Sequence, residues 1–145
     1  MNTSTIEPSA GAQRLSRPRA AIAAAVGFAG IAGFELALAL GAPLGRAAMG
    51  GTHTYLPAGL RIASGTLTIL WALAALVVLR RAGYRVPGFS ARVARAGTWA
   101  LAILLTLGVL MNLASPSDWE RYLQAPIAAV MAALCFRVAR SGHRP

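Results

Sequence analysis

Lysine is absent from this chain, cysteine occurs once, histidine twice and acidic residues only four times in 145 positions. A lone Cys135 excludes an internal disulfide or a thiol pair and leaves that side chain a small apolar role. His53 and His143 are too few for a metal centre, which needs several ligands. Charged residues make up 12% of the sequence, about half the share usual in a soluble domain. Alternating polar and apolar residues, the mark of half-buried strands, are missing as well. "LWALAALVVL" and "LAILLTLGVL" are continuous apolar runs, longer than ordinary strands. The glycines of "GAPLGRAAMGG" lack the Gly-Lys-Ser/Thr ending of a phosphate loop. No nucleophile–base pair or metal cluster follows from spacing, so no catalytic residue, metal or cofactor is expected.

What remains is apolar surface and arginine. Hydrophobic residues form 57% of the chain and the mean hydropathy is +0.59. Four apolar segments stand out, at about 20–42, 60–79, 96–115 and 119–139. Each approaches the roughly 20 residues needed to cross the hydrocarbon core. With no water there to satisfy the backbone, such segments must be helices. The expectation is an all-α membrane protein, a four-transmembrane-helix bundle over residues 20–140. A flexible basic tail at 1–19 precedes it and a short tail at 141–145 follows.

The net charge of +10 and pI of about 11.8 would invite nucleic-acid binding in a soluble chain. Here the arginines cluster at the ends of apolar segments, which membrane orientation alone requires. No nucleic-acid partner is expected. Arg14, Arg17, Arg19, Arg80, Arg81, Arg85, Arg92, Arg95, Arg137, Arg140 and Arg144 fall on one side, against Arg46, Arg61 and Arg121 on the other. Both termini and the middle loop are therefore expected in the cytoplasm, with two outward-pointing helical hairpins. The exclusive use of arginine beside abundant Ala, Gly and Pro resembles the codon bias of a GC-rich bacterial genome. The expected location is therefore a bacterial cytoplasmic (inner) membrane, as a multi-pass protein with the lipid bilayer as its first partner. A cleavable signal peptide is the competing reading of the first segment. Its length, the Glu inside it and Pro43 after it favour a retained span.

Within the first segment Ala25, Ala29, Gly33, Ala37 and Gly41 recur every four residues, a small-residue seam of the kind that admits a second helix closely. On its other side Glu35 lies among Phe28, Ala32, Ala39 and Ala42. An acid at this depth turns toward protein or water. Arg61, Ser64, Gly65 and Thr68 share a stripe of the second helix, so Glu35 is expected to pair with Arg61. With Asn112 near the outer end of the third helix, Glu35, Arg61, Ser64 and Thr68 make a candidate intramembrane polar site. In "SPSDWERY", Ser117-Asp118-Trp119-Glu120 reads as a capping box, and Trp119 and Tyr122 suit the interfacial aromatic belt. Pro126 is expected to kink the fourth helix.

"GAPLGRAAMGG", "LPAGLRIAS" and "LMNLASPSDWERYLQAPIAA" resemble small four-helix integral membrane proteins of unassigned function from high-GC bacteria, over about residues 28–138. The resemblance implies the same topology and no substrate, cofactor or catalytic residue. Two functional expectations stand beside each other. The first is a non-enzymatic membrane module that self-associates or binds a larger membrane protein through the small-residue face. The alternative is a small transporter or proton-coupled protein using Glu35, Arg61 and Asn112.

Overall fold

The computed structural model describes residues 10–141, with side chains from Pro18 onward. It contains four long helices, α1 (Ala10–Ala39), α2 (Ala58–Arg81), α3 (Ala91–Ala114) and α4 (Ala125–Arg140), and no strand among these residues. A π-helical turn at Glu120–Gln124 leads into α4. Two 3-10 turns, Gly45–Ala47 and Met49–Gly51, lie between α1 and α2. Four helical stretches, Pro18–Ala39, Ala58–Arg81, Ala91–Ala114 and Glu120–Arg140, are long and apolar enough to cross a membrane.

α1, α2 and α3 begin farther out than the apolar segments alone indicate, at Ala10, Ala58 and Ala91. α1 is already helical at Ala10, so residues 10–19 extend the helix where a flexible tail was expected. The remainder of both expected tails, 1–9 and 142–145, lies outside the described residues. Arg92 and Arg95 belong to the first turns of α3, not to a loop, because Ser90 caps the helix: its Oγ accepts the Val93 amide at 3.2 Å. Arginine tolerates these positions, since its apolar stem lies along the helix while the guanidinium reaches water.

α1 stops at Ala39, short of the expected Ala42, for a local reason. The Gly41 amide donates to Leu38 O at 3.0 Å and the Ala42 amide to Ala37 O at 2.9 Å, the two bonds of a Schellman motif. Gly41, at φ +93°, is the left-handed residue this ending requires. α2 ends the same way, with Gly83 at φ +103° and the Tyr84 amide on Leu79 O at 3.1 Å.

The helices pack in the order α1, α2, α3, α4, with α4 returning to α1, and the closest pairs are α1 with α2 and α3 with α4. One buried cluster runs through all four: Ala24 and Phe28 of α1, Ala74 and Val78 of α2, Ala102 and Leu105 of α3, and Met131, Ala132 and Cys135 of α4. Phe28 stacks on Trp71 at 5.7 Å between ring centroids. The outward faces are equally apolar, with Val26, Ile62, Leu110 and Met111 each at least 60% exposed. A coat of this size does not face water in a soluble monomer. Inside lipid it adds no drive for the helices to associate, so close packing and polar contacts must hold them together.

That requirement locates the true close approaches. The buried face of α1 is Ala21, Ala24, Phe28, Ala32 and Leu38. At Gly27, beside this face, any β-carbon would collide with the Met131 sulfur of α4. Gly97 of α3 admits Val77 of α2, whose Cγ1 would lie 3.0 Å from an added β-carbon. The small-residue seam does not pack inside the bundle as a unit. Ala29 and Gly33 are exposed, Ala25 and Ala37 are half-buried, and Gly41 serves the helix ending. A β-carbon at Gly33 would meet nothing within 4 Å. The physical reason is size: Phe28 fills the space between four helices, which the alanines of the seam cannot.

Candidate functional site

Glu35 projects from the buried face of α1, between Ala32 and Leu38, toward α2. There it lies beside Ser64, which is 0% exposed. The two groups do not close a hydrogen bond of ordinary geometry: Glu35 Oε2 and Ser64 Oγ are both buried without a partner. The other hydroxyls of the spans are satisfied by the helix turn beneath them. Thr68 Oγ1 donates to Ser64 O at 2.9 Å, Thr98 Oγ1 to Ala94 O at 2.7 Å and Thr106 Oγ1 to Ala102 O at 2.8 Å. Glu35 and Ser64 are thus polar groups held in an apolar interior with bonding capacity unused.

Arg61 does not pair with Glu35. Its Nε donates to Ala39 O at 2.9 Å, and its guanidinium lies over Gly41. The end of α1 leaves carbonyls without helical partners, and an arginine one helix away satisfies one of them while staying at the exposed boundary. This choice is cheaper than drawing a guanidinium down to Glu35. Asn112 is half-buried on α3, its backbone carbonyl accepting from the Ser115 amide, and no hydrogen bond or ion pair links it to Glu35 or Arg61. Of the five expected site residues, the structure joins Glu35 and Ser64, keeps Thr68 one turn away, and separates Arg61 and Asn112 from them.

A second polar assembly forms where the two hairpin turns meet. Glu120, 7% exposed, accepts the Gly50 amide on Oε1 at 2.8 Å. Ser117 Oγ donates to Arg46 O at 3.1 Å, and Gln124 Nε2 donates to Ala47 O. The expected capping box is therefore not made, because both of its side chains are taken by the 45–51 segment. That segment turns through Met49, Gly50 and Gly51, all at positive φ, and so presents its backbone groups to helix four. Arg121 bonds Ser115 O at 2.7 Å and lies 3.9 Å from exposed Asp118. Trp119 and Tyr122 are exposed beside it, as aromatic residues at a membrane interface are.

Pro126 shapes this assembly. It has no amide to donate and its ring crowds the carbonyl four residues back. In place of a simple kink, the chain widens into the π-helical turn, with the Ala125 amide reaching Glu120 O. The wider turn sets Glu120 and Gln124 toward the 45–51 segment. Sequence reading missed Gly50, Ala47 and Gln124 because their contacts join a side chain to a backbone group 70 or more residues away, for which side-chain pattern carries no signal.

His53 is exposed, with Thr52 Oγ1 2.7 Å from its Nδ1. Among the described residues no three His, Cys, Asp or Glu side chains are grouped to share a metal. Cys135 is fully buried in the central cluster. Comparison with protein-family models, curated proteins and solved structures finds no match to this chain.

Proposed function

We propose that this chain is a multi-pass bacterial inner-membrane protein, similar to the small four-helix proteins its loops resemble. In this reading it has no chemistry of its own and works by self-association. The observation that supports it is the open face of α1. Gly30 and Gly33 stand exposed in mid-span with nothing within 4 Å of an added β-carbon, and Ala29 is exposed beside them. Each glycine costs a helix about 1 kcal/mol relative to alanine, and neither is used inside the bundle. A second copy offers the same lean face, so backbone can meet backbone across a two-fold axis.

The experiment is the detergent-corrected mass of the purified chain by light scattering, for the native sequence, Gly33→Leu and the control Val109→Leu. A dimer lost in Gly33→Leu alone supports the reading. A monomer in all three overturns self-association, and co-purification of a larger membrane protein would transfer the face to that partner. Orientation has its own test, with reporter fusions at residue 145 and near Gly51: the arginine asymmetry puts the first in the cytoplasm and the second outside.

A second reading is favoured by the unpartnered Glu35 Oε2 and Ser64 Oγ, since an intramembrane acid is a candidate proton or ion site. Arg61 and Asn112 are no longer part of it. Proton uptake into proteoliposomes that Glu35→Gln abolishes would support that function in place of the first.

A further inference from the structure

At the end of the bundle opposite the two hairpin turns, α2 finishes, α3 starts and α4 finishes around a cleft of about 720 Å³. Arg81, Arg92, Arg95 and Arg140 line it, with Trp99 and Ala139. We propose that this cleft binds the phosphate of an anionic phospholipid headgroup. The inference rests on the reading that the four apolar helices span a bilayer, and not on self-association.

Depth is the first argument. A cleft at the ends of three membrane-long helices lies where headgroups lie, and a basic pocket between helices at that level is suited to them. Charge is the second. Among the described residues, the carboxylates Asp118 and Glu120 lie at the other end of the bundle, and Glu35 lies within α1 near that same end, so none of them faces the cleft. The third argument is convergence. An arginine that only orients a span needs to stand beside its end, whereas here four from three helices share one concavity of ligand size. Arg81 is anchored, its Nη2 donating to Ala139 O at 2.8 Å, and frames the cleft. Arg92, Arg95 and Arg140 are exposed, and their planar donor forks match phosphate oxygens. Trp99 is fixed edge-on against Phe136, 5.8 Å between centroids, and supplies the amphipathic wall that packs on a lipid's glycerol region.

The test uses the full chain purified in detergent and stripped of lipid, with bound lipid counted by native mass spectrometry. The ligands are phosphatidylglycerol, phosphatidylcholine of the same acyl chains, and inorganic phosphate as competitor. Arg92→Gln with Arg95→Gln is compared with Arg85→Gln with Arg137→Gln, which removes the same charge outside the cleft. The native chain is expected to hold phosphatidylglycerol in preference to phosphatidylcholine. The cleft variant should bind it about tenfold more weakly, and the control nearly as the native chain does. Should the double variant fold poorly, Arg140→Gln reads the same loss from the exposed end of α4. Equal weakening by both pairs, or no preference for the anionic lipid, overturns the proposal, and inorganic phosphate that displaces phosphatidylglycerol at concentrations no higher than the lipid's own overturns the lipid as its source. Flotation of the chain with phosphatidylcholine vesicles reports membrane insertion separately, so a chain that floats but shows no preference refutes the cleft alone.

Discussion

Glu120 Oε1 accepts the Gly50 amide at 2.8 Å, joining residues 70 positions apart. With Ser117 on Arg46 O and Gln124 on Ala47 O, it pins the first hairpin turn to the start of helix four. A hydrogen bond to a charged acceptor contributes roughly 1.5–3 kcal/mol. Glu120→Ala is therefore expected to lower thermal stability in detergent by about that amount and to speed amide exchange at Gly50 and Gly51. Unchanged exchange would show that the turn holds its shape without Glu120.

Two glycines of α1 should behave oppositely. Gly27→Val drives a side chain into the thioether end of Met131, which is flexible and must move aside within the central cluster, so the cost is about 1 kcal/mol, the low end for overpacking, read as a lower melting temperature. Gly33→Leu has open space and should leave the melting temperature of the monomeric bundle nearly unchanged.

Glu35 and Arg61 are expected to act independently. In a double-mutant cycle of Glu35→Gln and Arg61→Gln, stability effects should add to within about 0.5 kcal/mol, because Arg61 holds Ala39 O and not the carboxylate. Coupling of 1 kcal/mol or more, on the order of what a true pair gives, would contradict the geometry.

At Gly41 the expected effect comes from the backbone. Gly41→Ala places a β-carbon at φ +93° and 3.3 Å from Arg61 Cζ, and should destabilise the bundle by about 1 kcal/mol or more. Gly108→Ala, in open space at ordinary helical φ on α3, is the control and should be neutral or stabilising.

The four spans were legible because crossing hydrocarbon demands about twenty apolar residues, and "LWALAALVVL" satisfies nothing else. Which face of each span turns inward was not. In lipid both faces are apolar, so periodicity that orients a soluble helix is silent: the spacing of Ala29 and Gly33 did not say that their face lies outside the bundle, and Gly27, which meets Met131 inside it, stood off the seam. Glu35 announced its depth, and Ser64 was on the stripe expected to meet it. Arg61 was misassigned because a carbonyl left bare at the end of α1 competes for the guanidinium, and bare carbonyls do not show in side-chain lettering. Ser117 and Glu120 matched a local motif whose atoms a distant turn then claimed.

The bond from Glu120 to Gly50 also imposes an order of events during synthesis. Chains are made from the N-terminus at about 5–20 residues per second, so the 70 residues between the two partners take on the order of ten seconds to appear. α1 and α2 are complete once Arg81 has been made, so for the latter part of that interval their hairpin exists without the carboxylate that its turn finally binds. The Gly50 amide can therefore reach its final acceptor only when the start of helix four arrives. Closure of this end of the bundle is in this sense a late step, and it belongs to the last quarter of the chain.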